Sequence, residues 1–311
     1  MKLSIANILL FHRVYPKRDP LWDPMDPKLF DKVLNYVSKK YTVLSLSEIT
    51  AGSEIRSKKP IAAITFDDGY RDFIEYSLPI LTKYKFPSSM YVVTNCIDEN
   101  IPTWTYVVDH YFFHTRKLEI EDFPFEGLPE KYLITKWNSK IKRLDFGRSL
   151  KQFMKTISND KRKLMLKHII ENFNDVNSPE GMMMNWNEIK NILSESVEVG
   201  SHTVNHPPLA TLENENEIKS ELYESGERIK LMTGKFPDVI SYPVGSYDHR
   251  VMRIAKETGY RFGLAVNHKI YKPERDNLFE IPRLELYNEG FLKTKLRTTG
   301  FYSSVKNIFG R

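Results

Sequence analysis

Two adjacent carboxylates close an apolar run in this chain: "IAAITF" (61–66) ends in Asp67-Asp68-Gly69. Far downstream, "VEVGS" (197–201) ends in His202, and His206 follows four positions on in "HTVNH". A carboxylate and two imidazoles suit a borderline divalent metal such as Zn2+, with coordination positions left open for water and substrate. His202 and His206 meet on one face if their turn is helical; a tight loop brings them together equally well. If Asp68 binds the metal, Asp67 lies within reach of a water there and can act as general base. Each fragment alone has a plainer reading. Asp-Asp-Gly is also a turn or a helix N-cap, and two histidines four apart arise by chance in solvated loops. Those readings do not explain why His12 also ends an apolar run, "NILLF" (7–11), or why "YPVGSYD" follows another at 238–241.

Such groups need strands that deliver them to one place. Apolar runs at 7–12, 61–66, 88–94, 197–202, 238–243, 261–266 and 279–286 read as strands. Amphipathic stretches separate them. In 26–41, Leu29, Val33, Leu34 and Val37 fall at helical spacing and Pro27 suits the first turn. Segment 71–84 is helical with Pro79 as a kink or break; 213–234 is a long helix stopped by Gly234, and 248–258 is another. This alternation predicts parallel strands covered by helices. Seven or so units point to a closed or nearly closed α/β barrel, TIM-like, with an open doubly wound sheet as the alternative on pattern alone. Barrels of this kind gather their chemistry at the C-terminal strand ends, where Asp67, Asp68, His12 and His202 all fall. Residues 98–185 break the rhythm and read as a mostly helical insertion. Its aromatics, Trp104, Tyr106, Tyr111, Phe112, Phe113, Tyr132 and Trp137, form either a satellite core or a wall that stacks on sugar rings.

Composition narrows the class. The 311 residues are 41% hydrophobic, enough for one large core plus an insertion. Mean hydropathy is −0.44 and no apolar run approaches a membrane span. "MKLSIANILLFHRVYPKRDP" lacks a small-residue cleavage site, so a strand is expected there rather than a secretory signal, and a cytoplasmic setting follows. Cys96 is the single cysteine, which excludes an intrachain disulfide and a cysteine zinc site. The net charge is +6, with basic stretches at 136–143 and 291–297. Solvated helix faces explain these; an anionic partner, a membrane surface or a phosphate-bearing carrier, is the alternative. Nothing in them argues for nucleic acid.

"TFDDG" (65–69) and "HTVNH" (202–206) together resemble the first two motifs of the polysaccharide deacetylases, the NodB-homology or carbohydrate esterase family 4 group. The resemblance covers 1–97 and 186–290. It leaves out the insertion 98–185 and the basic C-terminal tail 291–311. It implies a distorted (β/α)7 barrel, a divalent metal with Zn2+ the expected ion, and hydrolysis of N-acetyl, sometimes O-acetyl, groups on sugars. Carried over position by position, Asp67 resembles the catalytic base, and Asp68, His202 and His206 the metal ligands. "YPVG" (242–245) resembles the third motif, which makes the Val244 N–H the oxyanion donor; a main-chain donor tolerates any side chain. Two positions depart from the pattern. The arginine of the third motif would fall at position 241, which is Ser241, and Arg283 is the candidate substitute. The fifth-motif histidine is missing near the C-terminus, whereas "ILLFH" (8–12) matches that motif at the N-terminus. A permuted strand order follows, as in poly-N-acetylglucosamine deacetylases, with His12 as general acid.

The expected protein is therefore a metal-dependent deacetylase acting on an N-acetylated sugar of a polysaccharide or glycan precursor. Its expected setting is cytoplasmic or membrane-peripheral, with a lipid-linked substrate among the options. An O-acetyl esterase with the same site and a silent carbohydrate-binding protein are the alternatives, the latter favoured by the displaced arginine.

Overall fold

The structure, a computed structural model, describes residues 5–51, 57–123 and 127–300. Its strands are β1 (Ala6–Phe11), β2 (Thr42–Val43), β3 (Ile61–Phe66), β4 (Ser88–Val92), β5 (Val197–Ser201), β6 (Val239–Ser241), β7 (Phe262–Leu264) and β8 (Leu284–Glu285). They pair in the order β7-β6-β5-β4-β3-β1-β8, with β2 added against β3, and every ladder is parallel. The β1–β3 ladder is the longest, from Ala6 opposite Ile61 to Phe11 opposite Phe66. The two ends of the sheet meet. Leu264 bridges Ile281, the Ala265 N–H donates to Ile281 O and the Ile281 N–H to Gly263 O, both at 2.9 Å. The result is a distorted (β/α)7 barrel. The predicted strand 279–286 shrinks to Leu284–Glu285 because Pro282 has no N–H to give a ladder. Strand order around the ring follows the chain, so β1 lies between the last strand and β3. A strand can move between chain ends in such a ring without changing neighbours, as the permuted motif order requires.

The covering helices are α1 (Pro27–Lys40), α2 (Leu46–Thr50), α3 (Leu78–Tyr84), α4 (Thr94–Glu99), α5 (Trp104–His114), α6 (Lys140–Met154), α7 (Asn159–Asn172), α8 (Trp186–Leu193), α9 (Glu215–Thr233), α10 (His249–Thr258) and α11 (Phe291–Thr298). α1 starts where the Asp26 carboxylate accepts from the Lys28 and Leu29 N–H groups, with Pro27 in the first turn. Its buried stripe, Phe30, Val33, Leu34 and Val37, joins Leu9, Phe11, Ile64 and Phe66 of the outer strand faces. Pro79 sits in the first turn of α3, and a wide turn at Phe73–Ser77 precedes it, so the chain loosens before the proline rather than breaking at it. Gly234 ends α9 at φ +87°, a left-handed conformation that glycine adopts without strain.

Between β4 and β5, α5, α6 and α7 bury a second core that includes Phe112, Leu150, Met154, Met165, Ile169 and Phe173. Trp104, Tyr111, Phe112, Tyr132 and Trp137 are buried in it. The plainer reading therefore holds for these five rings, and the stacking wall is corrected. Tyr106 and Phe113 line a separate hollow of about 490 Å3 beside Tyr15. The basic stretch 136–143 needs one correction as well. Arg143 is buried, and its guanidinium donates to Phe112 O at 3.0 Å and Lys117 O at 2.6 Å. Of the basic tail, 291–298 is α11, docked on α1. Thr298 O accepts from Asn7 Nδ2 at 2.6 Å and from the Tyr41 hydroxyl at 3.2 Å. Residues 301–311 lie outside the described residues. No described helix is long and apolar enough to cross a membrane.

Candidate active site

Strand side chains alternate between the two sheet faces. Ala6, Ile8, Ile61, Ala63, Tyr91 and Leu264 meet in the cluster inside the ring, whereas Leu9, Phe11, Ala62, Ile64 and Phe66 pack outward on the helices. Counting by twos along the inward series of β1 and β3 arrives at His12 and Asp67, each one residue beyond its strand. The same parity carries Ser241 and Arg283 inward, where they meet Asp67. A one-residue slip in either long strand would turn its polar end to the helix layer, so the apolar alternation is what aims the chemistry.

Asp68, His202 and His206 converge. One ligand atom from each lies within 4.8 Å of the others, and all three residues are buried. Asp68 Oδ1 is 3.4 Å from His202 Nε2 and 3.5 Å from His206 Nε2. Ligand atoms about 2.0–2.1 Å from a tetrahedral ion stand roughly 3.3 Å apart, so the spacing suits a metal. Asp68 Oδ1 is buried without a hydrogen-bond partner among the described residues, an orphaned lone pair that a divalent cation would satisfy. His202 Nδ1 donates to Ser241 O at 2.7 Å. That bond fixes the tautomer and turns the Nε2 lone pair toward Asp68. Burial pushes His206 down to about 3, favouring the neutral form a metal needs. Burial also works against protonation of His202, but Asp67 and Asp68 outweigh it and the net direction is up.

The two histidines meet through a tight loop. Thr203 stands at φ +70° and His206 at φ +58°. The loop is tied at every step. Thr203 Oγ1 accepts from the His206 N–H at 3.0 Å, and the Glu221 carboxylate of α9 accepts from the Val204 and Asn205 N–H groups at 2.9 Å each. The Thr94 and Asn95 N–H groups, orphaned donors at the start of α4, reach Thr203 O and Val204 O at 3.1 and 3.0 Å. Trp104 of the inserted core donates to His206 O at 2.9 Å.

Asp67 faces a different partner. Arg283 Nη1 and Nη2 donate to its two carboxylate oxygens at 2.8 and 2.7 Å, a bidentate pair with Arg283 fully buried. Ser241 fills the position of the displaced arginine. Its hydroxyl donates to Asp67 Oδ2 at 3.0 Å and accepts from Arg283 Nη2 at 2.8 Å. Burial works to raise the Asp67 carboxyl, but Arg283, with His202 behind it, reverses this and holds it well below the usual carboxylate range. Asp67 is therefore an anion at neutral pH.

His12 and Val244 line the same cavity, about 350 Å3, as Asp67, Asp68, His202 and His206. The His12 ring packs edge-on against Trp22 at 5.3 Å, and Glu285 lies 3.8 Å from Nδ1, too far for a hydrogen bond. Next to it, Arg13 pairs with Asp72 at 2.6 Å beneath Tyr70 and Tyr106. Val244 sits at φ +49°, ψ +19°, a left-handed conformation that strains a β-branched residue. Four of the eight described non-glycine residues at positive φ (Asp68, Thr203, His206 and Val244) lie in this one site; such strain gathers where function over-determines the backbone. A roomier hollow of about 680 Å3 lies near the opposite strand ends, between Ser47, Glu198 and Arg261. Among the described residues it holds no comparable ligand cluster, and barrel chemistry belongs to the C-terminal face.

Comparison with known proteins bears on the family and the fold. The sequence profile of the family described as polysaccharide deacetylase matches residues 54–144 and 147–263. YxkH of Bacillus subtilis, provisionally named a polysaccharide deacetylase, is 30% identical over 77 residues; the match spans 25% of this chain and only 27% of that protein's length. The deacetylase PplD of Streptococcus pyogenes, solved in complex with acetate, superposes with a TM-score of 0.63 at 18% identity, covering 95% of this chain and 98% of its own. IcaB from Ammonifex degensii gives 0.62 at 15% identity, covering 96% and 98%. At these identities the two likenesses speak for the fold.

Proposed function

The chain belongs to the polysaccharide deacetylase family, and on that premise we propose that this centre removes an N-acetyl group from a sugar of a glycan or glycan precursor. The observation that carries the proposal is the split of the carboxylate pair. Asp68 shares a buried triangle with two imidazoles, while Asp67, one residue away, is held ionised by Arg283. Asp68, His202 and His206 would hold a divalent metal, with Zn2+ the ion expected for two nitrogens and one oxygen. When bound, such an ion supplies Lewis acidity toward the acetyl carbonyl and toward water.

The chain's own groups account for the rest. Asp67 Oδ takes the proton from the attacking water, and Arg283 with Ser241 holds the carboxylate in place while it does so. The Val244 N–H donates to the carbonyl oxygen as its negative charge develops. His12 protonates the departing amine nitrogen, which leaves poorly otherwise. Acetate and a free amino sugar result. The cavity stands at the small end of ligand pockets, sized for the reacting sugar more than for a long polymer segment. Arg283 in the displaced arginine's place weakens the reading of a silent site, because the base keeps its guanidinium partner. A cytoplasmic or membrane-peripheral, carrier-linked substrate belongs to this proposal as well.

Acetate release from N-acetylglucosamine oligomers tests the reading. Activity is expected to vanish with a chelator, return with Zn2+, and fall by at least roughly a hundredfold in Asp67→Asn with zinc content unchanged. Normal zinc-dependent release by Asp67→Asn would overturn the base assignment. Zinc bound at full occupancy with no acetate from any N-acetylated glycan would favour the silent protein.

A further inference from the structure

One wall of the catalytic cavity is α6. Its helical repeat sets Arg148, Lys151, Gln152 and, at the C-terminal cap, Lys155 along a single stripe, and all four line the cavity. The other stripe, Phe146, Leu150 and Met154, is buried in the inserted core. Packing therefore fixes the helix's rotation, and the cationic stripe cannot turn away from the site.

Apart from Asp68 with its two imidazoles, the charges around this cavity pair off with one exception among the described residues. Asp67 has Arg283, and Lys151 has the buried carboxylate of Asp109. Arg148 reaches Asp145 at 2.9 Å and Pro20 O at 3.2 Å. Glu285 accepts from the Tyr287 hydroxyl and faces His12. Lys155 is half-buried, and no hydrogen bond or ion pair takes up its ammonium among the described residues. Burial and then Lys151 press its pKa downward, against weaker pulls from Glu285 and Asp109. The C-terminal dipole of α6 favours a cation there but supplies no full counter-charge, and this one is held against the cavity. A neutral sugar offers it only dipoles, and a partly desolvated charge without a counter-charge is unfavourable.

We infer that the glycan deacetylated here carries an anionic group, a phosphate or a carboxylate, beside the reacting sugar, and that Lys155 receives it, with Gln152 and Arg148 further back along the same stripe. The inference rests on the deacetylase reading and adds a substrate class to it. It makes Lys155 a specificity-determining residue; the reaction itself does not use it.

Three probes test it: an N-acetylglucosamine trisaccharide, the same trisaccharide as its 1-phosphate, and the same trisaccharide ending in a uronic acid. For at least one anionic probe, kcat/KM for acetate release is expected to exceed that of the neutral probe by roughly tenfold or more, mainly through KM. Whichever gains identifies the source of the charge. The ratio should fall toward one in Lys155→Gln, and should persist in Lys155→Arg and in Lys142→Gln, a change on the exposed start of the same helix. Release from the neutral probe equal to or above both anionic ones overturns the inference and leaves the deacetylase reading standing. An anionic preference that survives Lys155→Gln also overturns it. Release from none of the three overturns both.

Discussion

Removing Arg283 should destabilise the protein, and removing Asp67 as well should restore it. Arg283 gives Asp67 two of its three side-chain hydrogen bonds, at 2.8 and 2.7 Å; the third, from Ser241, is a neutral donor at 3.0 Å. Both partners are essentially inaccessible, at 0% and 2% exposure. Arg283→Met leaves a buried carboxylate with one hydroxyl for company, a loss of about 3–5 kcal/mol. The double variant Asp67→Asn/Arg283→Met has no charge left to desolvate, and Ser241 can still donate to the amide oxygen. It should recover most of that loss, a coupling of at least about 2 kcal/mol in the cycle. Arg283→Lys keeps the charge but cannot form the fork, and should lie between. Urea unfolding of the four proteins, with and without saturating Zn2+, measures the cycle. Acetate release reads the other side: Arg283→Met should be nearly inactive, and the double variant inactive despite its restored stability. A double variant no more stable than Arg283→Met would refute the account, since the loss would then come from the emptied volume and not from an unpaired charge.

Three further outcomes follow from the same geometry. His12→Asn should lower N-acetyl hydrolysis by about 10²–10⁴ but hydrolysis of the matching O-acetyl sugar far less, since an alkoxide leaves more readily than an amine; equal losses on both substrates would remove His12 as acid. Val244→Gly should relieve about 1–2 kcal/mol of left-handed strain against roughly 0.5–1 kcal/mol of extra chain entropy, so urea unfolding should find the variant as stable as the parent or slightly more so. Its activity should stay within a few-fold, because the proposed donor is main chain. Burial raises the Glu221 carboxyl above its ordinary value, against the pull of the Asn205 and Val204 donors. The folded chain thus keeps this proton where the unfolded chain has lost it. The associated stability is complete below about pH 4.5 and is lost as pH climbs through the raised folded value. Glu221→Gln retains an acceptor for the loop but cannot titrate, so the parent's stability relative to it should decline as pH rises above about 4.5, and a pH-independent difference would contradict the assignment.

Much of the fold was legible because strand alternation and helix periodicity are local signals. The runs ending in His12, Asp67 and His202 could be located without any tertiary knowledge, and α1 announced itself through Pro27 and its apolar spacing. What stayed hidden depends on contacts between distant segments. Ser241 looked like a vacancy where an arginine is usual; its hydroxyl turns out to bond both Asp67 and an arginine 216 positions from that aspartate, brought there by the closing of the ring. Arg13, Asp72 and Glu221 are single charges with no periodicity, and nothing local distinguishes them from surface residues. The inserted aromatics stayed ambiguous for a related reason. A ring that stacks on a sugar and a ring that fills a satellite core have the same sequence signature, and only the packing of Phe112, Trp137 and Phe146 on one another separates the two.

The adjacency of Asp67 and Asp68 is itself accounted for by the backbone. Two neighbouring carboxylates that shared one direction would repel, and one would be driven to protonate. Here Asp67 continues the inward series of β3 and meets Arg283. Asp68 then leaves the strand at φ +76°, which sends it to the imidazoles instead. Gly69 completes the turn at φ +91°, where a Cβ would lie 3.0 Å from Ile97 Cδ1 and 3.2 Å from Val92 Cγ1. A side chain at 69 would thus be strained twice, by conformation and by space. The like charges are separated by direction more than by distance, and each meets its own partners: a guanidinium fixed by ring closure for one, two imidazoles on a strained loop for the other. On the proposed mechanism that arrangement would leave one carboxylate free to accept a proton while its neighbour serves as a ligand.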